Sequence, residues 1–370
     1  MVHKIITLYV QRIWQNLDEE ETMAFTTIDN PELYFQTKLY SGSSSDVTVT
    51  FDGSEDMQPD LVWLKKRSSS GDPLIYDSVR GINMRLQTSG TDAEVDRSSN
   101  NDELKAFNSD GWTLGTFNSN VTGAGSTNVS WNWKESATAG FDIVSYAGNG
   151  AEGRNISHSL SAVPHLMIVK NRTNAIKWVV YHHENTSAPE TDHLRLDTTA
   201  ATSDDDSTWD DTAPTSSVFR VKSSTSTNGS SANYVAYLFS EKQGFSRFGS
   251  YLANNSNDGN FIYLGFRPAF FMVKAASGGS SSARNWRIYD NKRANTNGTS
   301  TIGIDEQLFP NADGAEAVND NELDFLSNGI KLRANDGGIN TSGETYVFVA
   351  FAEAPFVNSN KIPCNGNGAE

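Results

Sequence analysis

The stretches Pro59-Asp-Leu-Val-Trp-Leu-Lys65, Pro164-His-Leu-Met-Ile-Val-Lys170 and Pro268-Ala-Phe-Phe-Met-Val-Lys274 decide how this chain is organised. Each opens on proline, continues through apolar residues and ends on lysine. They recur about one hundred residues apart, a period too long for a propeller blade and right for a self-contained β-sandwich.

Outward from these stretches, further landmarks keep the same order three times. Upstream lie Leu39-Tyr-Ser-Gly42, Ser145-Tyr-Ala-Gly-Asn-Gly150 and Ser250-Tyr-Leu-Ala-Asn-Asn255. Downstream come Ile75-Tyr-Asp77, Val180-Tyr-His182 and Ile288-Tyr-Asp290. Each unit closes on an alternating strand that ends in glutamate. These are Asn128-Val-Ser-Trp-Asn-Trp-Lys-Glu135, Tyr234-Val-Ala-Tyr-Leu-Phe-Ser-Glu241 and Tyr346-Val-Phe-Val-Ala-Phe-Ala-Glu353. Residues 106–114 match 324–332, and Ser217-Val-Phe-Arg-Val221 is their shortened counterpart in the middle unit.

The pattern predicts three tandem homologous β-sandwich domains, jelly-roll or lectin-like, at 34–137, 138–246 and 247–356, followed by a flexible tail over 357–370. In the first unit, strands are expected at 35–40, 47–51, 61–66, 73–77, 84–87, 104–108, 112–116 and 128–134, where aromatic and β-branched residues suit a half-buried pleat. Asp52-Gly53, Asp110-Gly111, Asn328-Gly329 and Asp336-Gly337 supply turns. The links Glu135 to Ile143 and Glu241 to Phe248 are short, so the units are expected to hold one fixed orientation. Residues 1–22 carry apolar side chains at helical steps, giving a helical leader, or else the native chain starts at Met23.

Composition narrows the function classes. The 370 residues carry 29 Lys+Arg against 45 Asp+Glu, a net charge of −16, which argues against nucleic acid as a partner. The single cysteine, Cys364, excludes an internal disulfide framework and a cysteine zinc site. No apolar run is long enough for a membrane span, so membrane insertion is not expected.

Catalytic constellations do not stand out. The six histidines are His3, His158, His165, His182, His183 and His193. His183-Glu184 starts like a zinc-protease motif but lacks its second histidine, and the adjacent His182 and His183 point to opposite faces of a strand. Asp204, Asp205, Asp206, Asp210 and Asp211 fall within eight residues around Trp209. Oxygen-rich loops of this kind suit calcium, so Asp204, Asp205 and Asp206 are the candidate metal ligands, although the spacing is not that of an EF-hand. Asn257, Asp258 and Asn260 form a weaker candidate. Exposed aromatics stack on sugar rings, which makes Trp209 with Asp210 and Asp211 the candidate surface binding loop. Trp178 and Trp286, at equivalent positions in two units, are expected to be core.

Residues 23–42, 57–67, 107–116, 207–219 and 248–274, together with the Ser-Trp-Asn-Trp-Lys-Glu strand, resemble a family of proteins of uncharacterised activity common in marine tailed phages. The resemblance runs from Met23 to about Phe356 and leaves out 1–22. Related proteins are placed among virion structural proteins, some with tail-fibre or concanavalin/SPRY-like labels, and the resemblance implies no catalytic residues. The expectation is a non-enzymatic virion protein, a tail fibre, tail appendage or capsid decoration. Its expected partners are other virion proteins, further copies of itself and host-surface glycan. The alternatives are a calcium-assisted lectin-like module and a glycan-cleaving depolymerase, which would need paired carboxylates in a cleft.

Overall fold

The computed structural model describes residues 26–116, 119–278, 284–293 and 304–355, with only the backbone of 319–321. The leader over 1–22 and the tail over 357–370 lie outside the described residues.

The protein is all-β, and the named strands pair antiparallel. Three larger sheets share one order of strands. The first runs Phe35–Ser41, Thr127–Trp133, Leu61–Lys66, Leu74–Asp77, Met84–Gln87 and Val95–Asp96. The second runs Phe141–Ala147, Asn233–Phe239, Leu166–Asn171, Val179–His182, Asp192–Arg195 and Ser203–Asp204. The third runs Ser246–Leu252, Thr345–Pro355, Phe266–Ala275 and Arg287–Asp290. Three smaller sheets accompany them. One joins Val47–Val49, Gly111–Leu114 and Leu104–Asn108, another joins Arg154–Ser157 to Val218–Val221, and the last runs Phe261–Tyr263, Gly329–Leu332, Ala317–Leu326 and Ile304–Gln307.

The proline-to-lysine stretches sit in the body of each large sheet, between the closing strand and the next hairpin. Their apolar runs are unbroken because both faces are covered. On Leu61–Lys66, Leu61 and Trp63 enter a central core while Val62 and Leu64 enter a separate core under the first small sheet. Leu166 and Ile168 face the centre, and Met167 and Val169 the second small sheet. A strand buried on both faces loses the alternating polar signal of a surface strand.

The central core is what the sandwich expectation lacked. It draws Trp131 and Trp133 from the first large sheet, Tyr237 and Phe239 from the second, and Phe270 and Phe351 from the third. Trp133, Phe239 and Phe351 occupy the same place in the three closing strands. Their ring centroids form a triangle with sides of 5.6, 5.8 and 6.3 Å. Burying Phe239 or Phe351 contributes about 1.5–3 kcal/mol, and the larger Trp133 ring adds to it, so the three sheets stabilise one another.

Hydrogen bonds between sheets join the same two elements each time, the closing strand of one sheet and the hairpin strand that follows the proline-to-lysine stretch of another. Trp131 Nε1 donates to Asp290 Oδ2 at 2.9 Å, from first sheet to third. Tyr237 donates to Asp77 Oδ2 at 2.7 Å, from second to first. His182 Nε2 donates to the Phe348 carbonyl at 3.1 Å, which joins third and second. The three contacts close a ring, and in the third the closing strand accepts through its backbone where the other two donate from a side chain.

The hairpin glycine Gly111, at φ +107°, cannot be replaced without conflict, because a Cβ there would lie 2.0 Å from the Val49 carbonyl oxygen. The short strand Val95–Asp96, absent from the sequence expectation, pairs with Met84–Gln87 at the sheet edge. Its two residues are too few to register as a periodic pattern.

Candidate functional site

The acidic loop of the middle segment was the leading candidate from sequence, and its geometry corrects that expectation. Trp209 is 1% exposed and lies in the core beneath the second small sheet. Its Nε1 donates to the Asp192 carbonyl at 3.1 Å, and its ring meets Tyr181 edge to face at 6.0 Å. Trp209 is therefore a core residue and no platform for a sugar. The sequence misled because its neighbours are all polar: Asp205 to Trp209 form one capped helical turn that points a single large side chain inward.

The surrounding carboxylates have separate structural duties. Asp205 Oδ1 accepts from the Ser207 backbone N–H at 2.9 Å and caps that turn. These hydrogen bonds hold the Asp205 carboxyl below its usual value against the opposing effect of its burial. Asp206 pairs with Lys222 at 3.4 Å and Asp210 with Arg220 at 2.7 Å. Asp204 is exposed on the edge strand Ser203–Asp204, and Asp211 is exposed with a positive φ. Among the described residues no group of three or more His, Cys, Asp or Glu is placed to hold a metal ion. The trio Asp204, Asp205 and Asp206 is thus not gathered into a calcium site, because helix capping and an edge strand turn the carboxylates apart. In the weaker candidate, Asp258 pairs with Lys331 at 2.7 Å, and Asn257 accepts from the Asn335 backbone N–H at 3.2 Å.

Histidines cluster where the second and third large sheets meet. The His165 and His183 rings stand edge to face at 4.5 Å, and His182 and His183 lie 5.5 Å apart. His183 Nε2 donates to the Phe248 carbonyl at 2.8 Å, and His165 Nδ1 accepts from the Glu241 N–H at 3.0 Å. Burial pushes His182 down to about 3 and His165 down to about 4, so both are neutral at pH 7. Their ring nitrogens serve backbone groups across the junction. The adjacent histidines come together, against the expectation of opposite faces, because the strand ends at His182 and His183 lies in the turn beyond it, where its ring stacks on His182.

The terminal lysines of the three landmark stretches form a third recurring set. Lys65 Nζ donates to the carbonyls of Gly71 at 2.8 Å, Asp313 at 3.0 Å and Gly314 at 2.6 Å. Lys170 Nζ reaches the Thr91 carbonyl at 2.8 Å, and Lys274 Nζ the Thr199 carbonyl at 3.3 Å. Lys170 and Lys274 each clamp a loop of the preceding large sheet, and Lys65 clamps the loop between Ile304–Gln307 and Ala317–Leu326 of the last small sheet, in the same sense as the tyrosine and tryptophan contacts. Burial lowers Lys65 and Lys170 to about 8 and Lys274 to about 7. Trp178 and Trp286 do related work: both are fully buried, and their Nε1 atoms donate to the Gln87 carbonyl at 2.9 Å and the Arg195 carbonyl at 2.8 Å. The sequence marked all five residues as landmarks or core. It held no sign that they reach into another unit.

At the first link, Glu135 meets Asp142 and Asp60. The Glu135 backbone N–H donates to Asp60 Oδ2 at 2.8 Å, while burial, then the hydrogen bond with Asp142, pushes the Glu135 carboxyl up to about 7. At the second link the corresponding Glu241 instead pairs with Arg247 at 2.6 Å. The Glu135–Asp142 pair shares a hydrogen bond and so leaves no space between the carboxyls for a glycosidic centre, whose carboxylates stand about 5–10 Å apart.

No helix among the described residues is long and apolar enough to cross a membrane. No curated protein and no solved structure matches the chain. A family model described as a domain of unknown function (DUF7483) matches residues 30–355, the whole span of the three large sheets, and the chain belongs to that family.

Proposed function

We propose that the protein is a non-enzymatic virion structural component of a tailed phage, a tail fibre, tail appendage or capsid decoration that displays host-binding surface. On this reading the three large sheets, each with its small sheet, are copies of one lectin-like sandwich with limits near 34–137, 138–246 and 247–356. The partners are other virion proteins, further copies of the chain and host glycan. The observation that supports the reading best is the ring itself. Trp133, Phe239 and Phe351 meet at its centre, and at each of its three junctions a hydrogen bond joins a closing strand to the hairpin strand of a neighbouring sheet. Such a body spends its apolar surface inward and leaves loops outward on a stiff frame, which suits display on a particle. The residue resemblance to virion proteins points the same way.

Immunogold labelling of purified virions tests this. Label at a fixed place on tail or capsid is the expected result, and label confined to infected cells, with none on virions, overturns the proposal.

A further inference from the structure

One groove borders the ring beside the His182–Phe348 contact. It opens at the edge of the third sandwich, between Ser246–Leu252 of the large sheet and Phe261–Tyr263 of the small one, and encloses about 190 Å³. We propose that this groove binds one neutral sugar ring of a surface glycan, stacked on Phe261 and Tyr263.

The first argument comes from the rings. Phe261 is 46% exposed and Tyr263 55% exposed, on the outward positions of a three-residue strand whose inward residue is Ile262. Ile262 pairs with Ile330, as Val49 pairs with Trp112 and Ile156 with Phe219 in the other two small sheets. The outward neighbours there are Thr48 and Thr50, and Asn155 and Ser157, all exposed. The strand therefore folds with small polar residues at these places; here the edge of the Phe261 ring covers the Gly329 backbone, and the rest of that ring and the Tyr263 ring stay open to solvent. Exposed aromatic faces of this kind are suited to ligands that are apolar on one face and polar at the edge.

The second argument comes from the groove. Gly249 is paired with Phe348, whose ring lies over it so closely that a Cβ would fall 2.6 Å from the ring. The matching places on the other first strands carry Lys38 and Val144, opposite Ser130 and Ala236. Only the third edge thus combines a bare backbone with an aromatic floor. Around the rim stand Glu184, Arg247 and Ser250, which offer an acceptor, a donor and a hydroxyl to sugar hydroxyl groups. Arg247 is already paired with Glu241 at 2.6 Å, and Glu184 adds a negative charge, so the rim has no surplus cation for an acidic sugar. The volume is below the roughly 300–1,000 Å³ of pockets for larger ligands, which restricts the occupant to about one ring.

Two other occupants fit less well. A peptide strand would need the free backbone edge at Phe248, but its carbonyl accepts from His183 and its N–H donates to Glu241 Oε2 at 3.3 Å. A second protein surface would need roughly 20–30 residues a side, whereas the exposed apolar side chains here are Leu252, Phe261, Tyr263 and, across Gly329 from Tyr263, Leu326.

The test titrates the full chain with soluble oligomers of glucose, galactose, mannose and N-acetylglucosamine, by calorimetry and by NMR. At least one oligomer is expected to bind and to shift the ring resonances of Phe261 and Tyr263. The double variant Phe261→Thr with Tyr263→Ser, which installs the residue types of the other small sheets, is expected to lose at least about tenfold in affinity with an unchanged melting temperature. Binding by none of the oligomers overturns the proposal. So does binding that the double variant retains, or concentration-dependent dimerisation that the double variant abolishes. Mapping the ring resonances in the unaltered chain keeps the test decisive should the double variant not fold. The outcome does not depend on where the protein resides, so its failure is distinct from failure of the virion assignment.

Discussion

Tyr237 of the second large sheet donates its phenol proton to Asp77 of the first at 2.7 Å, inside the protein and away from solvent. Asp77 also pairs with the fully buried Arg80, whose guanidinium donates to the Ile75 carbonyl at 3.0 Å. The arrangement recurs at Asp290, which accepts from Trp131 and pairs with Arg293. Carboxylate and guanidinium are buried together, so the cost of removing one partner is larger than the gain from having made the pair.

Tyr237→Phe removes one hydrogen bond to a charged acceptor and keeps the ring in the core. It should lower the unfolding free energy by about 1.5–3 kcal/mol. Urea unfolding measures this directly, and a variant as stable as the parent would mean that the contact between sheets contributes nothing.

Trp209→Ala separates the core assignment from the surface one. A buried tryptophan cut to alanine costs about 3–5 kcal/mol, and an exposed platform would cost about 0.5 kcal/mol or less. The core position predicts the large value, read as a fall in thermal stability.

Acid should weaken the junction of the second and third sheets. His182 and His165 are pushed down to about 3 and 4 by burial, below the unfolded value near 6.5. Their neutral rings therefore contribute stability that is fully present above about pH 6.5 and is lost as pH falls toward 4 and then 3. Melting curves between pH 7 and 4 should show that fall. His182→Gln, which retains a donor for the Phe348 carbonyl, should flatten it.

Glu135 should behave in the opposite sense. Its carboxyl is pushed up to about 7 from an ordinary 4.5, so the folded chain favours the protonated form. The stability it contributes is present below pH 4.5 and is lost as pH rises through 7. Glu135→Gln cannot ionise, so its melting temperature relative to the parent should climb between pH 5 and 8. No change in that difference would contradict the shared proton with Asp142.

Much of the fold was legible in the sequence because the landmarks are the residues that packing holds fixed. The strand expected at 61–66 is found there, as are 84–87 and 104–108, since turn residues bound each one. Trp178 and Trp286 were legible as core from their recurrence. What the sequence hid is the long-range part. Lys65 reaches Gly314 across the whole chain, and nothing local to either residue records that contact. Trp209 misled because a single inward side chain among aspartates leaves no periodic trace. The exposure of Phe261 and Tyr263 is not legible locally, because alternation on a three-residue strand is too short to separate an exposed aromatic from a buried one. Their one signal is positional: Thr48 and Thr50, and Asn155 and Ser157, stand where the third segment carries these aromatics.

The central claim is that three large sheets share one core and stand or fall together. Differential scanning calorimetry of the full chain tests it most directly. One transition, with equal calorimetric and van't Hoff enthalpies, is the predicted result. Two or three resolved transitions, or a calorimetric enthalpy several times the van't Hoff value, would show sandwiches that unfold independently and would contradict the closed ring.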